Sequence, residues 1–300
     1  MSTHVVGQDA TSSVVEPGAK VQKLAGGMKF LEGPAWLPSK KTLIFSDIPN
    51  SKLMQWNATD GLSVFRESAA SNGNILDLEG RLVTCQHAAR NLVRTEADGQ
   101  VIVLADKWDG KRFNSPNDVA VRSDGTLWFT DPPWGRTGPA EITGNWVYKL
   151  DPQTGHVTPV IQDLAMPNGI AFSPDESRLY VADTGGHPAL ALPEFRNLRG
   201  SVRCYAIDPQ GKLGKVLFQI EQGSDGMRVD VQGNLYTTTG GKVHVYNADG
   251  KALEAIDVPE NPANVCFGGD DLKTLFITAT TSLYSVRVRH PGAKPRGAKW

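Results

Sequence analysis

The stretch Ser224-Asp225-Gly226-Met227-Arg228-Val229 places a carboxylate at the start of a short apolar run, and this arrangement recurs along the chain. In each copy one polar residue, here called the slot residue, precedes a strand-like run. The six slot residues are Glu32, Asn72, Asn117, Asn168, Asp225 and Asn264. Successive slot residues lie 40, 45, 51, 57 and 39 positions apart. Repeats of about 40 to 50 residues with several strands each have the size of β-propeller blades.

The segments between slot residues also have β character. Asn117 to Asp131, for example, forms two alternating apolar runs around an Asp-Gly turn at 124 and 125, which is typical of a β-hairpin. No stretch shows a helical period over eleven or more residues. The sequence therefore predicts an all-β, six-bladed propeller, formed by residues 20–288 as a single domain. The last repeat lacks an outer strand, and Val21 to Ala25 is expected to supply it and to close the ring.

The two ends of the chain do not follow this pattern. Residues 1–19 are rich in Ser, Thr and Gly and are predicted to be a mobile tail. Residues 289–300 are basic and rich in Pro and Gly, and they are predicted to be a disordered tail.

Composition and charge exclude several kinds of partner. The formal net charge of the 300 residues is −1, and the basic residues are scattered, so neither nucleic acid nor a membrane is an expected partner. No apolar run approaches the roughly 18 residues that span a bilayer, and Met1 to Lys20 does not resemble a secretory signal. We expect a cytoplasmic protein, either a monomer or a small homo-oligomer.

The three cysteines fit the same expectation. Cys85, Cys204 and Cys266 are far apart, each lies in an apolar run, and none has a CxxC partner. They are predicted to be buried free thiols, which suit a reducing compartment.

The propeller topology brings polar side chains together at one mouth of the central channel. The first strand of each blade lies nearest the axis, so the slot residues form an inner ring. Each second strand runs back antiparallel and returns to that mouth. Its end contributes an outer ring of residues, predicted to be Asp47, His87, Asp131, Asp183, Thr239 and Thr280.

The inner ring predicts a metal site in the central channel. It contains two carboxylates and four amides, with no His or Cys, and such oxygen donors select hard cations. Ca²⁺ is the first expectation, followed by Mg²⁺ or Mn²⁺, while Zn²⁺ fits less well because it favours nitrogen and sulfur ligands.

The chain also resembles a known family, the SMP-30/gluconolactonase family, and more distantly the squid-type diisopropyl-fluorophosphatase. The resemblance runs from about Phe30 to Tyr284. Its motifs are Leu-Glu32-Gly-Pro-Ala-Trp, Gly80-Arg-Leu-Val-Thr-Cys-Gln-His87, Asn114-Ser-Pro-Asn117-Asp, Phe129-Thr-Asp-Pro-Pro-Trp-Gly135, Met166-Pro-Asn168-Gly-Ile-Ala-Phe, Tyr180-Val-Ala-Asp183-Thr and Ser224-Asp225-Gly-Met-Arg-Val-Asp.

The resemblance implies a six-bladed propeller, a divalent cation in its channel and hydrolysis of sugar lactones. The metal ligands of the family, one Glu, two Asn and one Asp, correspond to Glu32, Asn117, Asn168 and Asp225. The chain departs from diisopropyl-fluorophosphatase at Arg228, where that enzyme has an aspartate that binds a second, structural calcium. We therefore expect no second calcium site of this kind.

The implied mechanism gives roles to further residues. The cation would polarise the lactone carbonyl and a water would attack it, with Asp225 as the family's usual candidate base. A carboxylate bound to a metal is a weakened base, so Asp183 on the outer ring is a second catalytic candidate. The predicted substrate contacts are His87, Asn114, Asn72 and Trp134, and residues 184–200 are predicted to form a loop over the mouth.

The sequence leaves other functions open. The preferred interpretation is a metal-dependent hydrolase of an aldono-lactone such as gluconolactone. Another lactone or a phosphotriester is the alternative within enzymes, and a hydrophobic mouth would favour it. A non-catalytic propeller with a structural ion and a partner protein is the alternative outside enzymes, because a fold alone does not fix a function.

Overall fold

The computed structural model of the protein describes residues 13–300, and the first twelve residues of the predicted N-terminal tail lie outside that range. Six four-stranded antiparallel sheets make up most of the described chain. Five of them consist of four consecutive strands, as expected for propeller blades. The prediction of an all-β, six-bladed propeller is therefore confirmed.

The first three blades cover residues 31–161. The strands of blade 1 are Leu31–Leu37, Thr42–Asp47, Lys52–Asn57 and Gly61–Glu67. Those of blade 2 are Ser71–Leu76, Leu82–Gln86, Asn91–Thr95 and Val101–Ala105. Those of blade 3 are Val119–Val121, Leu127–Asp131, Trp146–Asp151 and His156–Ile161. A small hairpin before blade 3 pairs Lys107–Trp108 with Lys111–Arg112.

The last three blades complete the ring. The strands of blade 4 are Pro167–Phe172, Arg178–Asp183, Ser201–Ile207 and Leu213–Ile220. Those of blade 5 are Met227–Val229, Leu235–Thr239, Lys242–Tyr246 and Ala252–Asp257. Blade 6 contains Pro262–Gly268, Thr274–Ala279 and Ser282–Arg287. Three short 3₁₀ turns lie at Pro38–Lys40, Ile48–Asn50 and Pro193–Phe195.

The N-terminal strand closes the ring. Gln22–Ala25 pairs antiparallel with Ser282–Arg287, with Gln22 opposite Ser285, and becomes the outer strand of blade 6. This pairing confirms the closure predicted from the short last repeat. It covers a sheet edge that would otherwise expose unpaired backbone groups.

The hydrophobic core lies between the faces of neighbouring blades. Trp128 of blade 3, for example, packs in one cluster with Leu179 and Tyr205 of blade 4. Inner strands have a neighbour on both faces, so Leu127–Asp131 is buried at every position. The outermost strand Gly61–Glu67 is exposed at several positions. This difference explains why the inner strands are nearly continuous apolar runs.

Several first strands carry a β-bulge at the slot position. The register with the second strand shifts between Glu32 and Ala35 in blade 1, and between Pro167 and Ile170 in blade 4. A bulge bends the strand and redirects a side chain. Gly33, which follows the slot residue, has a φ of 52°, and a Cβ there would lie 2.0 Å from the Asn72 carbonyl oxygen. Glycine is thus required where neighbouring first strands crowd together.

The described part of the N-terminal tail is packed against the propeller, unlike the predicted mobile tail. Val14 is buried in the core cluster of blades 5 and 6. Val15 forms a β-bridge with Val288, and the backbone N–H of Val14 donates to Glu254 Oε2 at 2.7 Å. Residues 13–19 therefore extend the ring closure.

The prediction of a disordered C-terminal tail is wrong. The backbone N–H of Ala293 donates to the Val229 carbonyl at 3.0 Å, and that of Lys299 donates to the Leu78 carbonyl at 2.9 Å. The indole N–H of Trp300 donates to the Asp77 carbonyl at 2.7 Å. The segment crosses from blade 5 to blade 2 and covers a cavity of about 130 Å³ at the turn-bearing end of the channel. Its Pro and Gly content reflects an extended path rather than disorder.

The described residues contain no helix that is long and apolar enough to cross a membrane.

Candidate active site

Hydrogen bonds between adjacent first strands draw the slot residues together at one mouth of the channel. The N–H of Gly73 donates to the Asn117 carbonyl at 2.7 Å, and that of Gly169 donates to the Asp225 carbonyl at 3.0 Å. The Thr130 hydroxyl also donates to the Asn168 carbonyl at 2.7 Å. The backbones of Asn117, Asn168 and Asp225 are thus fixed by the blade before each of them, and their side chains lie at one site.

The slot of blade 6 differs from the sequence prediction. Following the same pattern, the N–H of Gly226 donates to the carbonyl of Ala263 at 2.7 Å. Ala263 therefore occupies the slot position, and Asn264, predicted to be the slot residue, lies one position further along the strand. The inner ring consequently has five polar residues and one alanine.

Two carboxyl groups meet at the centre of the ring. The side chains of Glu32 and Asn168 both interact with Asp225, and both interactions favour the ionised form of Asp225. Burial raises the pKa of Asp225 to about 7, and the nearby Asp118 adds to the rise. Burial and the repulsion from Asp225 and Asp118 raise the pKa of Glu32 well above its usual range.

A second polar layer, which the sequence analysis missed, lies beside this ring. Asp118 is buried, and its Oδ2 lies 3.4 Å from the Arg228 guanidinium. The Asn264 amide donates to Glu32 Oε2 at 3.0 Å and lies 3.5 Å from Asp118 Oδ2. A signal was present in the sequence, because the position after the slot is glycine in four repeats and Asp118 in the third.

Among residues 13–300, Asp118 is the one carboxylate of this region that has an ion-pair partner, Arg228. Glu32, Asp225 and Asp118 would together carry three negative charges, against the one positive charge of Arg228. A buried excess of two negative charges is costly unless protons or a cation compensate it.

The donor set fits a hard divalent cation. No cluster of three or more His, Cys, Asp or Glu side chains arranged as metal ligands occurs within residues 13–300. The ring instead offers two carboxylates and amide oxygens, the ligand types of calcium and magnesium. Asn117 is buried in the ring, and the amide of Asn168 contacts Asp225. Glu32, Asn117, Asn168 and Asp225 could therefore hold such an ion.

The carboxylate of Asp183 binds backbone N–H groups and is not free to face the ring. Its carboxylate oxygens accept hydrogen bonds from the N–H groups of Ala165 at 2.8 Å, Met166 at 2.9 Å and Gly185 at 2.9 Å. The side chain is 1% exposed. A carboxylate so occupied has little capacity to accept a proton from water. This geometry differs from the catalytic assistance predicted for Asp183.

His87 and Asn72 form a buried pair next to the ring. Asn72 Nδ2 lies 3.1 Å from His87 Nε2, whereas Asn72 Oδ1 has no hydrogen-bond partner within the described chain. Burial lowers the pKa of His87 to about 4, so its imidazole is neutral near pH 7. The backbone of Gly135 lies directly against the imidazole. His87 is thus covered by the loop after blade 3's second strand.

The other two predicted substrate contacts differ in accessibility. Asn114 is buried, and its Nδ2 donates to the carbonyls of Gly144 at 2.9 Å and Asp131 at 3.2 Å. Trp134 is 39% exposed and contacts His187 edge-to-face at 5.8 Å between ring centroids. This contact joins residues 132–145 to the loop at 184–200, so Trp134 lies on the rim of the mouth.

A cavity of about 400 Å³ opens beside Asp225 at the mouth. Its lining is polar and rich in small residues, and it is formed by Thr184, Gly200, Gln222, Gly223, Ser224, Asp225, Thr238, Thr239, Asn261 and Pro262. Hydroxyl and amide groups of this kind suit a ligand with many hydroxyls better than an apolar one.

A comparison with known families agrees with this geometry. The sequence model described as the SMP-30/Gluconolactonase/LRE-like region matches residues 30–281. The chain belongs to this family. The matched region ends at residue 281. It excludes the strand Ser282–Arg287 of blade 6 and residues 289–300, here called the C-terminal strap.

Several proteins with similar sequences carry lactonase names. The chain is 30% identical to a gluconolactonase from Zymomonas mobilis, with 92% of this chain and 83% of the relative covered. It is 30% identical to a pentonolactonase, XacC, from Haloferax volcanii, with 82% and 80% covered. A solved structure of the gluconolactonase XC5397 from Xanthomonas campestris is 31% identical, covers 93% of both chains and superposes with a TM-score of 0.82.

Proposed function

We propose that this protein hydrolyses a sugar lactone, with an aldono-lactone such as gluconolactone as the substrate class, and that it does so with one divalent cation. One observation carries the proposal. Asp225 belongs both to the buried ring of oxygen donors and to the wall of the polar cavity at the mouth. A substrate in that cavity would therefore lie next to the ring. The names of similar proteins in the family support lactone hydrolysis.

The cation would be held by Glu32, Asn117, Asn168 and Asp225. Ca²⁺ is proposed first, because all four ligands would bind through oxygen. When bound, the cation supplies Lewis acidity that polarises the lactone carbonyl. The excess negative charge of Glu32, Asp225 and Asp118 over Arg228 would favour its binding.

The residues of the chain would supply the proton transfers and the orientation. Asp225 is proposed as the base that accepts a proton from the attacking water, and the amide of Asn168 holds its carboxylate in place. The water oxygen bonds to the carbonyl carbon, the ring C–O bond then breaks, and the released alkoxide takes the proton that Asp225 accepted from the water. The new carboxylic acid loses its remaining proton to solvent. The products are a carboxylate and a hydroxyl in one open-chain sugar acid.

The chemistry of the mouth distinguishes the proposed substrates. The cavity beside Asp225 is lined mainly by Gly, Ser, Thr, Asn and Gln. A strongly apolar ester would leave these groups unpaired, whereas sugar hydroxyls can hydrogen-bond to them. Trp134, exposed on the rim, is proposed as an aromatic surface for the sugar ring.

The substitution Asp225→Asn tests the proposed base. It preserves the shape of the side chain and removes both the charge and the basic oxygen, so turnover of glucono-1,5-lactone should fall at least about 100-fold, the usual scale for general base loss. Asp257→Asn, on an exposed outer strand of the same blade, is the matched control and should retain activity. Near wild-type turnover by Asp225→Asn would remove Asp225 from the mechanism.

A further inference from the structure

Three buried aspartates bind the equivalent backbone segment in three different blades. Asp47, Asp131 and Asp183 each end the second strand of their blade, and each is at most 1% exposed. In each case the carboxylate accepts backbone N–H groups from the segment that leads into the first strand. Those N–H groups belong to the residues three and two positions before the slot residue.

The contacts repeat closely in the three blades. Asp131 accepts from the N–H of Asn114 at 2.7 Å and of Ser115 at 2.8 Å, just before Asn117. Asp183 accepts from Ala165 and Met166 at 2.8 and 2.9 Å, just before Asn168.

Asp47 makes the same connection with longer bonds. Its Oδ1 accepts from Lys29 at 3.2 Å and from Phe30 at 3.3 Å, just before Glu32. Its other oxygen accepts from the amide of Asn50 at 2.7 Å.

The aspartates occur in three of the four blades that carry a proposed ligand for the cation, and blades 2, 5 and 6 have other residues at this position. Blade 2 has Gln86 at this position, opposite Ser71, and the N–H of the following residue, His87, donates to the Ala70 carbonyl at 3.0 Å. Blade 6 ends its second strand at Ala279 and has no polar ligand at its slot. In blade 5 the hydroxyl of Ser224, adjacent to Asp225, accepts from the Thr238 N–H at 3.1 Å.

We propose that Asp47, Asp131 and Asp183 are positioning residues that fix the backbone presenting Glu32, Asn117 and Asn168 to the cation. The inference rests on the proposed function for the identity of the ligands. Hydrogen bonds from backbone N–H groups to an ionised carboxylate are about twice as strong as neutral ones, and two of them define the direction of the peptide planes. The ligand side chain follows two residues later, after the segment has been fixed.

The geometry explains why a carboxylate is needed. Each of these carboxylates receives at least two N–H donors and, when ionised, has no donor of its own. Burial raises the pKa of Asp131 to about 7, while the N–H groups of Asn114 and Ser115 favour its ionised form. At Asp131 and Asp183 the two backbone N–H groups bind different oxygens, so an asparagine, with one oxygen, would turn its NH₂ group towards a backbone N–H. The substitution Asp→Asn therefore changes one acceptor into a donor with almost no change in volume, and it releases one end of the ligand-bearing segment.

The test compares Asp131→Asn and Asp183→Asn with Asp230→Asn. Asp230 is an internal control because it is 0% exposed and its Oδ1 accepts from the N–H groups of Gln232 and Asn234, both at 2.9 Å. It serves a turn at the opposite face of blade 5. Asp230 Oδ2 also accepts from the Asn234 amide at 2.8 Å. In all three variants an NH₂ group thus replaces one accepting oxygen of a buried carboxylate, so similar losses of stability are expected.

Two measurements are made on each full-length variant at a pH of about 8, where a carboxyl group with a pKa near 7 is mostly ionised. Hydrogen–deuterium exchange on chelator-treated protein reports the protection of the segments before Asn117 and Asn168. Calorimetric titration with Ca²⁺ reports affinity without any catalytic assay.

We expect Asp131→Asn to speed exchange within residues 113–118, and Asp183→Asn within 164–169. Each should weaken Ca²⁺ binding by about tenfold or more, the usual scale for residues that support metal ligands. Asp230→Asn should change neither.

The outcomes separate the two proposals. Unchanged exchange in the two segments, or a loss of Ca²⁺ affinity no greater than that of Asp230→Asn, would overturn the positioning role. Absence of divalent-cation binding by the wild-type protein would instead overturn the proposed cation. The exchange measurement would still decide whether the aspartates fix these segments.

Discussion

Acidification should destabilise the protein through one buried imidazole, and the substitution His87→Gln should remove that effect. His87 is 4% exposed, its Nε2 contacts the amide of Asn72, and the loop backbone at Gly135 covers its ring. Burial lowers its pKa to about 4, compared with about 6.5 in an unfolded chain. The unfolded chain therefore binds the proton more readily than the folded protein does.

The sign and size of the effect follow from this difference. Because the folded pKa is the lower one, the stabilisation from neutral His87 is complete above about pH 6.5. It is lost progressively as the pH falls towards about 4. Integration between these two pKa values gives a loss of about 2 kcal/mol between pH 8 and pH 5. The glutamine introduced by His87→Gln does not titrate, and its amide can still pair with Asn72.

The assay is denaturant unfolding of the wild-type protein and the His87→Gln variant at pH 8 and pH 5. Both proteins are kept free of divalent cations, so that cation binding does not contribute to the pH dependence. The difference in unfolding free energy between them should shift by about 2 kcal/mol in favour of the variant on acidification. Parallel pH dependences would refute a neutral, buried His87.

Three other substitutions test the proposed ligand set and the packing of the C-terminal segment. Asn72→Ala should leave Ca²⁺ affinity within about threefold in calorimetric titration, because Asn72 is not among the four proposed ligands; a much larger loss would place Asn72 in the coordination shell. Trp300→Ala should lower the free energy of unfolding by about 2 kcal/mol, since the indole packs on the Leu37 cluster and donates to the Asp77 carbonyl. Trp134→Ala, on the exposed rim, should cost less than about 1 kcal/mol in the same unfolding experiment. Equal losses for the two tryptophans would argue against the packed C-terminal strap.

The fold could be predicted because the repeat fixes it at several levels. Turn residues, apolar runs and the spacing of slot residues all point to four-stranded blades, and the missing outer strand of the last blade points to Val21–Ala25. Such information is local or periodic, so it is readable without coordinates. The convergence of Glu32, Asn117, Asn168 and Asp225 follows from topology alone.

The details of the ring depend on register, which the sequence shows only weakly. Asn264 follows Ala263 at the start of a strand, and either residue could have occupied the slot. A shift of one position changes the direction of a side chain. The hydrogen bond from the Gly226 N–H to the Ala263 carbonyl shows that Ala263 occupies the slot. Asp118 was missed for the same reason, because its place beside Arg228 is set by the packing of three blades.

The roles of the outer ring and the C-terminus also depend on tertiary contacts. Asp183 was predicted as a catalytic candidate because its strand ends at the correct mouth. Its hydrogen bonds to Ala165 and Met166 could not be inferred from the spacing. The C-terminal segment has the composition of a disordered tail, yet the groove across blades 5 and 2 orders it through backbone contacts and the final tryptophan.

The central claim is that a divalent cation in this ring is needed to open a sugar lactone. The most direct measurement is hydrolysis of glucono-1,5-lactone, followed by proton release, on chelator-stripped protein with and without added Ca²⁺, Mg²⁺, Mn²⁺ or Zn²⁺. The account predicts that stripped protein hydrolyses the lactone no faster than buffer, and that one equivalent of a bound divalent cation restores turnover. Full activity in the stripped protein, or no hydrolysis of this or related lactones by protein with confirmed cation occupancy, would contradict it.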